Sequence, residues 1–153
     1  MQKIASFTIN HDTLTPGLYV SRIDGDVITY DLRMRYPNQG DILSTASAHA
    51  MEHLFATYVR NSVYSSQIVY VGPMGCRTGF YFLTRDSLSK QEALLLLKET
   101  FAFIKDFEGA IPGAKKIECG NYLDHDLWQA KKDASAFHQV LSNWSEEKMA
   151  YPD

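Results

Sequence analysis

The sequence predicts an α+β protein, an antiparallel sheet packed against helices in a two-layer sandwich. Three observations carry that expectation. Two β-rich runs flank Asp24-Gly25 in "LYVSRIDGDVITYDLRMRY", a hairpin signal. A second pair of runs, Gln67 to Val71 and Thr78 to Thr84, is joined by a Gly-Pro-Met-Gly-Cys-Arg connection too short for a crossover helix, so these are also expected to pair antiparallel. Helical patterns stand between and after the hairpins, which suits helices packed on such a sheet.

In chain order, Pro37 and Asn38 end the second β-rich run. A first helix should begin near Ser44 or Thr45, either of which can cap the free amides, and run to about Arg60. A second starts at Ser89, where Ser89-Lys90-Gln91-Glu92 has capping-box spacing, and runs to about Phe107. "GAIPGAKK" reads as a loop leading to Ile117-Glu118-Cys119-Gly120. The third helix is the clearest. Leu127, Ala130, Ala134, Phe137, Leu141 and Trp144 alternate steps of three and four, one apolar stripe facing a core.

At 153 residues the chain is expected to form one domain, long enough for a core without staples. A net charge of −3 with acids and bases interspersed leaves no electrostatic footprint for nucleic acid or an anionic membrane. The amino-terminal "MQKIASFTIN" does not resemble a signal peptide. The longest apolar run, "ALLLL", is far short of the roughly 20 residues of a membrane span. Two cysteines, Cys76 and Cys119, are too few for a disulfide framework and read as free thiols or ligands in a cytosolic, cytoplasmic protein.

The first helix carries the chemistry. In "SAHAMEHLFATYVRN", His49 and His53 lie about 40° apart around a helix and one turn apart along it, with Glu52 about 60° to the other side of His49. A cation held by both imidazoles would sit beside the carboxylate. H-x-x-E-H reverses H-E-x-x-H and supports the same division into two ligands and one base. Such a trio also arises as plain surface decoration. Cys119, after a loop and before a glycine, is the best third donor, although without the two histidines a small buried hydrophobe would be the slightly commoner role for it. No fourth ligand is obvious, with His11, His125 and His138 left open. Three protein ligands plus water describe a catalytic site rather than a structural one.

Cys76 sits in a glycine-flanked turn with Arg77 beside it. A neighbouring guanidinium would favour the thiolate and let the sulfur move protons. The alternative is an inert cysteine whose arginine points away.

"HAMEH", "GPMGCRTGFY" and "IECGNYLDHDLWQAK" occur in the order and approximate spacing of the S-ribosylhomocysteine lyases, the LuxS-type autoinducer-2 synthases, and "SFTINH" and "YDLRMRYPN" are similar to matching parts of that family. The resemblance spans nearly the whole chain. It implies an α+β homodimer with active sites at the subunit interface. It also implies one divalent metal per subunit, Fe²⁺ favoured with Zn²⁺ or Co²⁺ as substitutes. Carried over by residue, His49, His53 and Cys119 would ligate the metal, Glu52 and Cys76 would be the acid/base pair, and Ser6, His11 and Arg33 would line the substrate pocket. The implied reaction cleaves S-ribosyl-L-homocysteine to L-homocysteine and 4,5-dihydroxy-2,3-pentanedione, the autoinducer-2 precursor, by carbonyl migration and β-elimination.

Two departures stand out. Ala50 and Met51 replace Thr-Leu inside the His-Glu-His motif, at positions turned away from the metal arc. Tyr70, Val71 and Gly72 replace an Asp-Ile-Ser common in relatives, so Tyr70 stands where an acidic pocket residue is usual. His125 and His138 read as structural or surface residues, and Trp128 and Trp144 as packing residues. The rival readings are a small H-x-x-E-H metallopeptidase, which leaves Cys76 without a task, and a zinc-stapled interaction module, which would close its metal with four protein ligands.

Overall fold

The computed structural model describes residues 1–153. Strands β1 (Gly17–Asp24) and β2 (Val27–Arg33) form the first hairpin around Gly25, and β3 (Ile68–Pro73) and β4 (Gly79–Arg85) form the second. Helix α1 (Thr45–Arg60) links the hairpins, and α2 (Lys90–Lys105) and α3 (Leu127–Ser142) follow them. One four-stranded sheet results, ordered β1-β2-β4-β3, with every neighbouring pair antiparallel. Two hairpins joined through β2 and β4, with three helices, make the α+β class.

Each helix begins where its local chemistry directs. Ser44 accepts from the Ser47 amide to cap α1. At α2, the Ser89 hydroxyl accepts from the Glu92 amide while the Glu92 carboxylate accepts from the Ser89 amide, a complete capping box. Asp126 caps α3 through the Gln129 amide. Helix α2 ends at Lys105, two residues short of the expected Phe107, where the Phe107 amide turns back on the Ile104 carbonyl three residues earlier instead of continuing the four-residue ladder. Trp144 lies beyond α3, not in its stripe. Its indole donates to the Leu18 carbonyl at 2.7 Å and its ring lies against Gly17 of β1.

Alternation along the strands sorts the sheet into two faces. Ile28, Tyr30 and Leu32 of β2, with Phe80 and Phe82 of β4, point to the helices and join their buried residues in one core. Phe55 of α1 packs on Phe80, Phe82 and Phe101, with ring centroids 5.9, 5.4 and 5.4 Å away. Truncating such a fully buried ring costs about 3–5 kcal/mol. Ala50 and Met51 are likewise sealed in this core, which is why the neighbouring His49, Glu52 and His53 turn outward.

The other face carries charge. Asp31 and Arg33 are fully buried there and bridge at 2.6 Å. The carboxy-terminal segment covers them: Val20 donates its amide to the Met149 carbonyl, Tyr151 stacks on Tyr19, and the Tyr151 hydroxyl donates to Asp31 at 2.6 Å. Burial first, and then the Asp31 carboxylate, holds the Tyr151 phenol protonated far above its usual range.

Candidate metal centre and active site

Helix α1 presents His49 and His53 one turn apart, their ring centroids separated by 4.8 Å. Each ring is held by a backbone carbonyl. His49 Nδ1 lies 2.8 Å from the Asp124 oxygen, and His53 Nδ1 lies 2.8 Å from the Pro112 oxygen. A carbonyl only accepts, so each Nδ1 carries the proton and each Nε2 keeps its lone pair for a ligand. Gly113, at φ +71°, lies so close to His53 that an added β-carbon would come within 3.2 Å of the ring. The loop before α3 is therefore shaped to hold the histidine.

The same loop delivers the sulfur. The Cys119 amide donates to the Lys115 carbonyl, closing a turn that aims Sγ at α1. Sγ stands 3.5 Å from His49 Nε2 and 3.9 Å from His53 Nε2. With metal–sulfur bonds near 2.3 Å and metal–nitrogen bonds near 2.05 Å, a tetrahedral ion separates such donors by about 3.6 Å. The residues present fit one metal ion.

His125, read from the sequence as structural or surface, belongs to this cluster. Its Nε2 is 3.8 Å from Cys119 Sγ, its ring stacks on His49 at 3.9 Å and meets His53 edge-on at 4.6 Å. The donor atoms of His49, His53, Cys119 and His125 all lie within 4.8 Å of one another. Burial, then the His49 and His53 rings, lowers the His125 pKa below its ordinary value and favours the neutral, ligating form. The only sequence signal was its position six residues after Cys119, which no helical or strand period marks.

Cys76 occupies the turn between β3 and β4. Met74 and Gly79 close it through the Met74 amide and Gly79 carbonyl at 2.9 Å, and Arg77 takes the left-handed conformation at φ 61°. The cationic neighbour of the thiol is Arg33 of β2, not the adjacent Arg77. Arg33 Nη1 is 3.9 Å from Cys76 Sγ and donates to Thr78 Oγ1 at 2.8 Å, and the thiol and the Thr78 hydroxyl are 3.1 Å apart. Gly79 makes this approach possible, since a β-carbon there would collide with the Leu32 carbonyl. Arg33 in turn is buried against its own charge, which the Asp31 carboxylate outweighs.

The remaining expected residues are spread around these two centres. Glu52 lines a cavity of about 390 Å³ with His53, Tyr70 and Pro112. Ser6 lines a second cavity, about 290 Å³, with Tyr70, Tyr81 and Leu83 on the sheet face away from the helices. Tyr70 thus borders both, and is itself exposed. His11 is held locally, its Nδ1 2.9 Å from the Ile9 carbonyl, and lines neither cavity. Trp128, expected to pack, is exposed with the Lys132 ammonium 3.7 Å from its ring centroid.

Fold and site together define a class: a small α+β protein with a His/Cys centre able to hold one metal ion and a separate thiol beside a buried arginine. Comparison with known proteins is consistent and more specific. The model of the S-ribosylhomocysteinase (LuxS) family matches residues 4–148. The chain is 48% identical to the S-ribosylhomocysteine lyase of Clostridium acetobutylicum, over 100% of both chains. It is 46% identical to that of Phocaeicola vulgatus, over 99% of this chain and 98% of the relative. A Borrelia garinii subsp. bavariensis protein of the same description is 46% identical over 99% of this chain and 100% of its own. The protein belongs to the S-ribosylhomocysteinase (LuxS) family.

Proposed function

We propose that the protein is a metal-dependent carbon–sulfur lyase that cleaves S-ribosyl-L-homocysteine to L-homocysteine and 4,5-dihydroxy-2,3-pentanedione, the precursor of autoinducer-2. The observation that carries the proposal is the convergence of His49, His53 and Cys119 donors, in a family member, on a point flanked by Glu52. The metallopeptidase alternative is not favoured by the family.

A divalent ion held by His49, His53 and Cys119, Fe²⁺ in our reading with Zn²⁺ or Co²⁺ as substitutes, supplies Lewis-acid polarisation of a sugar oxygen. The protein's own residues move the protons. A thioether is a poor target for hydrolysis, but a ketone at C3 of the sugar makes the C4 proton acidic. Cys76 and Glu52 take a proton from one carbon and return it to its neighbour, so the carbonyl passes from C1 to C2 to C3. Removal of the C4 proton then expels the sulfur from C5, and the electron pair leaves with homocysteine, which Glu52 protonates. Arg33 supports the negative charge on the Cys76 sulfur. Ser6 and His11 bind the substrate's polar groups.

A homodimer completes this arrangement. The Cys76–Arg33 pair is built on the sheet face turned away from the helices, whereas the His/Cys centre rises from α1. That sheet face bears an open cavity bordered by Ile4, Tyr70, Tyr81 and Leu83, and Ile4, Phe7 and Tyr70 are exposed. A second copy covering those apolar side chains would bring catalytic groups from two chains together. The two unpaired thiols suit a reducing, cytoplasmic setting.

A thiol-release assay tests the reaction. The metal-loaded protein should free one thiol per S-ribosylhomocysteine consumed, detected with a chromogenic disulfide. Release no faster than the background without enzyme would overturn the assignment.

A further inference from the structure

We propose that Thr78 is a positioning residue for the Cys76 sulfur: its hydroxyl accepts a hydrogen bond from Arg33 and donates its own proton to the thiolate. The proposal rests on the reading of Cys76 as a proton-transferring group and adds one residue to it.

The turn that carries Cys76 brings the two side chains together. In an extended strand, residues two apart are separated by about 6.6 Å along the chain. Arg77 stands between them in the left-handed conformation, at φ 61°, and there the Cys76 sulfur and the Thr78 hydroxyl come to 3.1 Å. Thr78 is held firmly in this place. Its carbonyl accepts from the Met34 and Arg35 amides at 2.8 and 3.0 Å, which ties the turn to the end of β2. Thr78 is buried, at 4% exposure, whereas Cys76 beside it is exposed.

The direction of each bond follows from what the groups can do. A guanidinium has only donors, so the Thr78 oxygen accepts from Arg33 Nη1 at 2.8 Å. Asp31 takes the other terminal nitrogen, Nη2, at 2.6 Å, and so fixes the fork that aims Nη1 at Thr78. The hydroxyl keeps one proton, and that proton is free for the sulfur.

The two protonation states of Cys76 fare differently here. As a thiolate, the sulfur accepts from the hydroxyl, and a bond to an ionised acceptor is stronger than a neutral one. As a thiol, it would aim a weak S–H donor at an oxygen already engaged by a cation, with the guanidinium itself 3.9 Å from the sulfur. The arrangement favours the thiolate, the form that takes up a proton. Arg33 supplies the charge, and Thr78 supplies the nearer, directional contact.

Alkylation of Cys76 by iodoacetamide at neutral pH tests this in the zinc-loaded full-length protein, with the Cys76 peptide followed by mass spectrometry. Thr78→Val nearly keeps the side-chain shape and removes the hydroxyl. It should slow alkylation by about tenfold, the low end of what a hydrogen bond to a charged group is worth. The ultraviolet absorbance of the Cys76 thiolate, taken as the difference from Cys76→Ala, should fall with it. Thr78→Ser should restore both readings. A wild-type rate in Thr78→Val, or no rescue by Thr78→Ser, would overturn the proposal. In an Arg33→Lys background, Thr78→Val should slow alkylation further, and no further slowing would credit the whole effect to the arginine and sink the direct contact. Thr78→Ala gives the same readings should Thr78→Val fail to fold, because the bonds to Met34 and Arg35 are made by the backbone. None of these readouts uses S-ribosylhomocysteine, so failure of the lyase reading, seen in the thiol assay, remains distinguishable.

Discussion

Arg33 reaches Cys76 across 43 positions of sequence, placing a guanidinium nitrogen 3.9 Å from the sulfur. The same side chain bridges Asp31 and donates to Thr78, so one planar fork serves three partners. Lysine keeps the charge but not the fork. Arg33→Lys should slow alkylation of Cys76 by iodoacetamide at neutral pH by about tenfold, the worth of one hydrogen bond to a charged group. Mass spectrometry of the Cys76 peptide over time measures this, and an unchanged rate removes Arg33 from the activation of the thiol.

Glu52 borders the cavity beside His53 without belonging to the donor cluster. Glu52→Gln should therefore retain the full metal content of the wild type while losing thiol release by at least about a hundredfold, the contribution of a general acid–base group. Metal analysis and the thiol assay on the same sample separate the two effects. Full activity in that variant would remove Glu52 from proton transfer.

Tyr151 is two residues from the last residue, Asp153, yet its hydroxyl donates to the fully buried Asp31. Removing a hydrogen bond to a charged carboxylate costs about 1.5–3 kcal/mol. Tyr151→Phe should lower the urea midpoint accordingly, and because Asp31 steadies Arg33 it should slow Cys76 alkylation too. Loss of stability with unchanged alkylation would confine Tyr151 to a structural role.

Tyr30 is fully buried on the helix-facing side of β2 with no hydrogen-bond partner for its hydroxyl. Burial, reinforced by Glu146, pushes its pKa up to about 12. An unfolded tyrosine ionises near 10, so above that pH the folded state holds more protons than the unfolded one, and stability falls as pH rises. The contribution of Tyr30 is intact below about pH 10 and lost between about 10 and 12, a change of about 3 kcal/mol. Tyr30→Phe should flatten this part of a urea stability–pH curve, although buried Tyr19 and half-buried Tyr81 and Tyr151 slope the same way. At neutral pH it should cost little or nothing, because it removes an unsatisfied polar atom.

The parts of the fold legible in the sequence were those written in short-range pattern. Ser44, the Ser89–Glu92 box and the three-and-four stripe of α3 act over a few residues, and each helix formed where those signals stood. Both hairpins followed from turns too short to do anything else. The His49–Glu52–His53 arc was equally local, because helical pitch alone sets it. Helix ends were less sharp, as α2 shows, since fraying amides find alternative carbonyls at little cost.

Tertiary structure decided what sequence distance conceals. The adjacent Arg77 looked like the partner of Cys76, yet strand register gave that place to Arg33, whose side chain shares the buried face with Asp31. His125 carries no periodic mark, and only the loop that folds back on α1 brings its ring among the other donors. Asp133 of α3 likewise ties Arg35 and Ser47 together across long separations, a buried knot no motif announces. By itself the sequence determined the elements and the candidate donors on one helix, because backbone hydrogen bonding and capping are local. Which distant side chains meet was decided by packing, since only burial of the common core selects one register and one loop path among many.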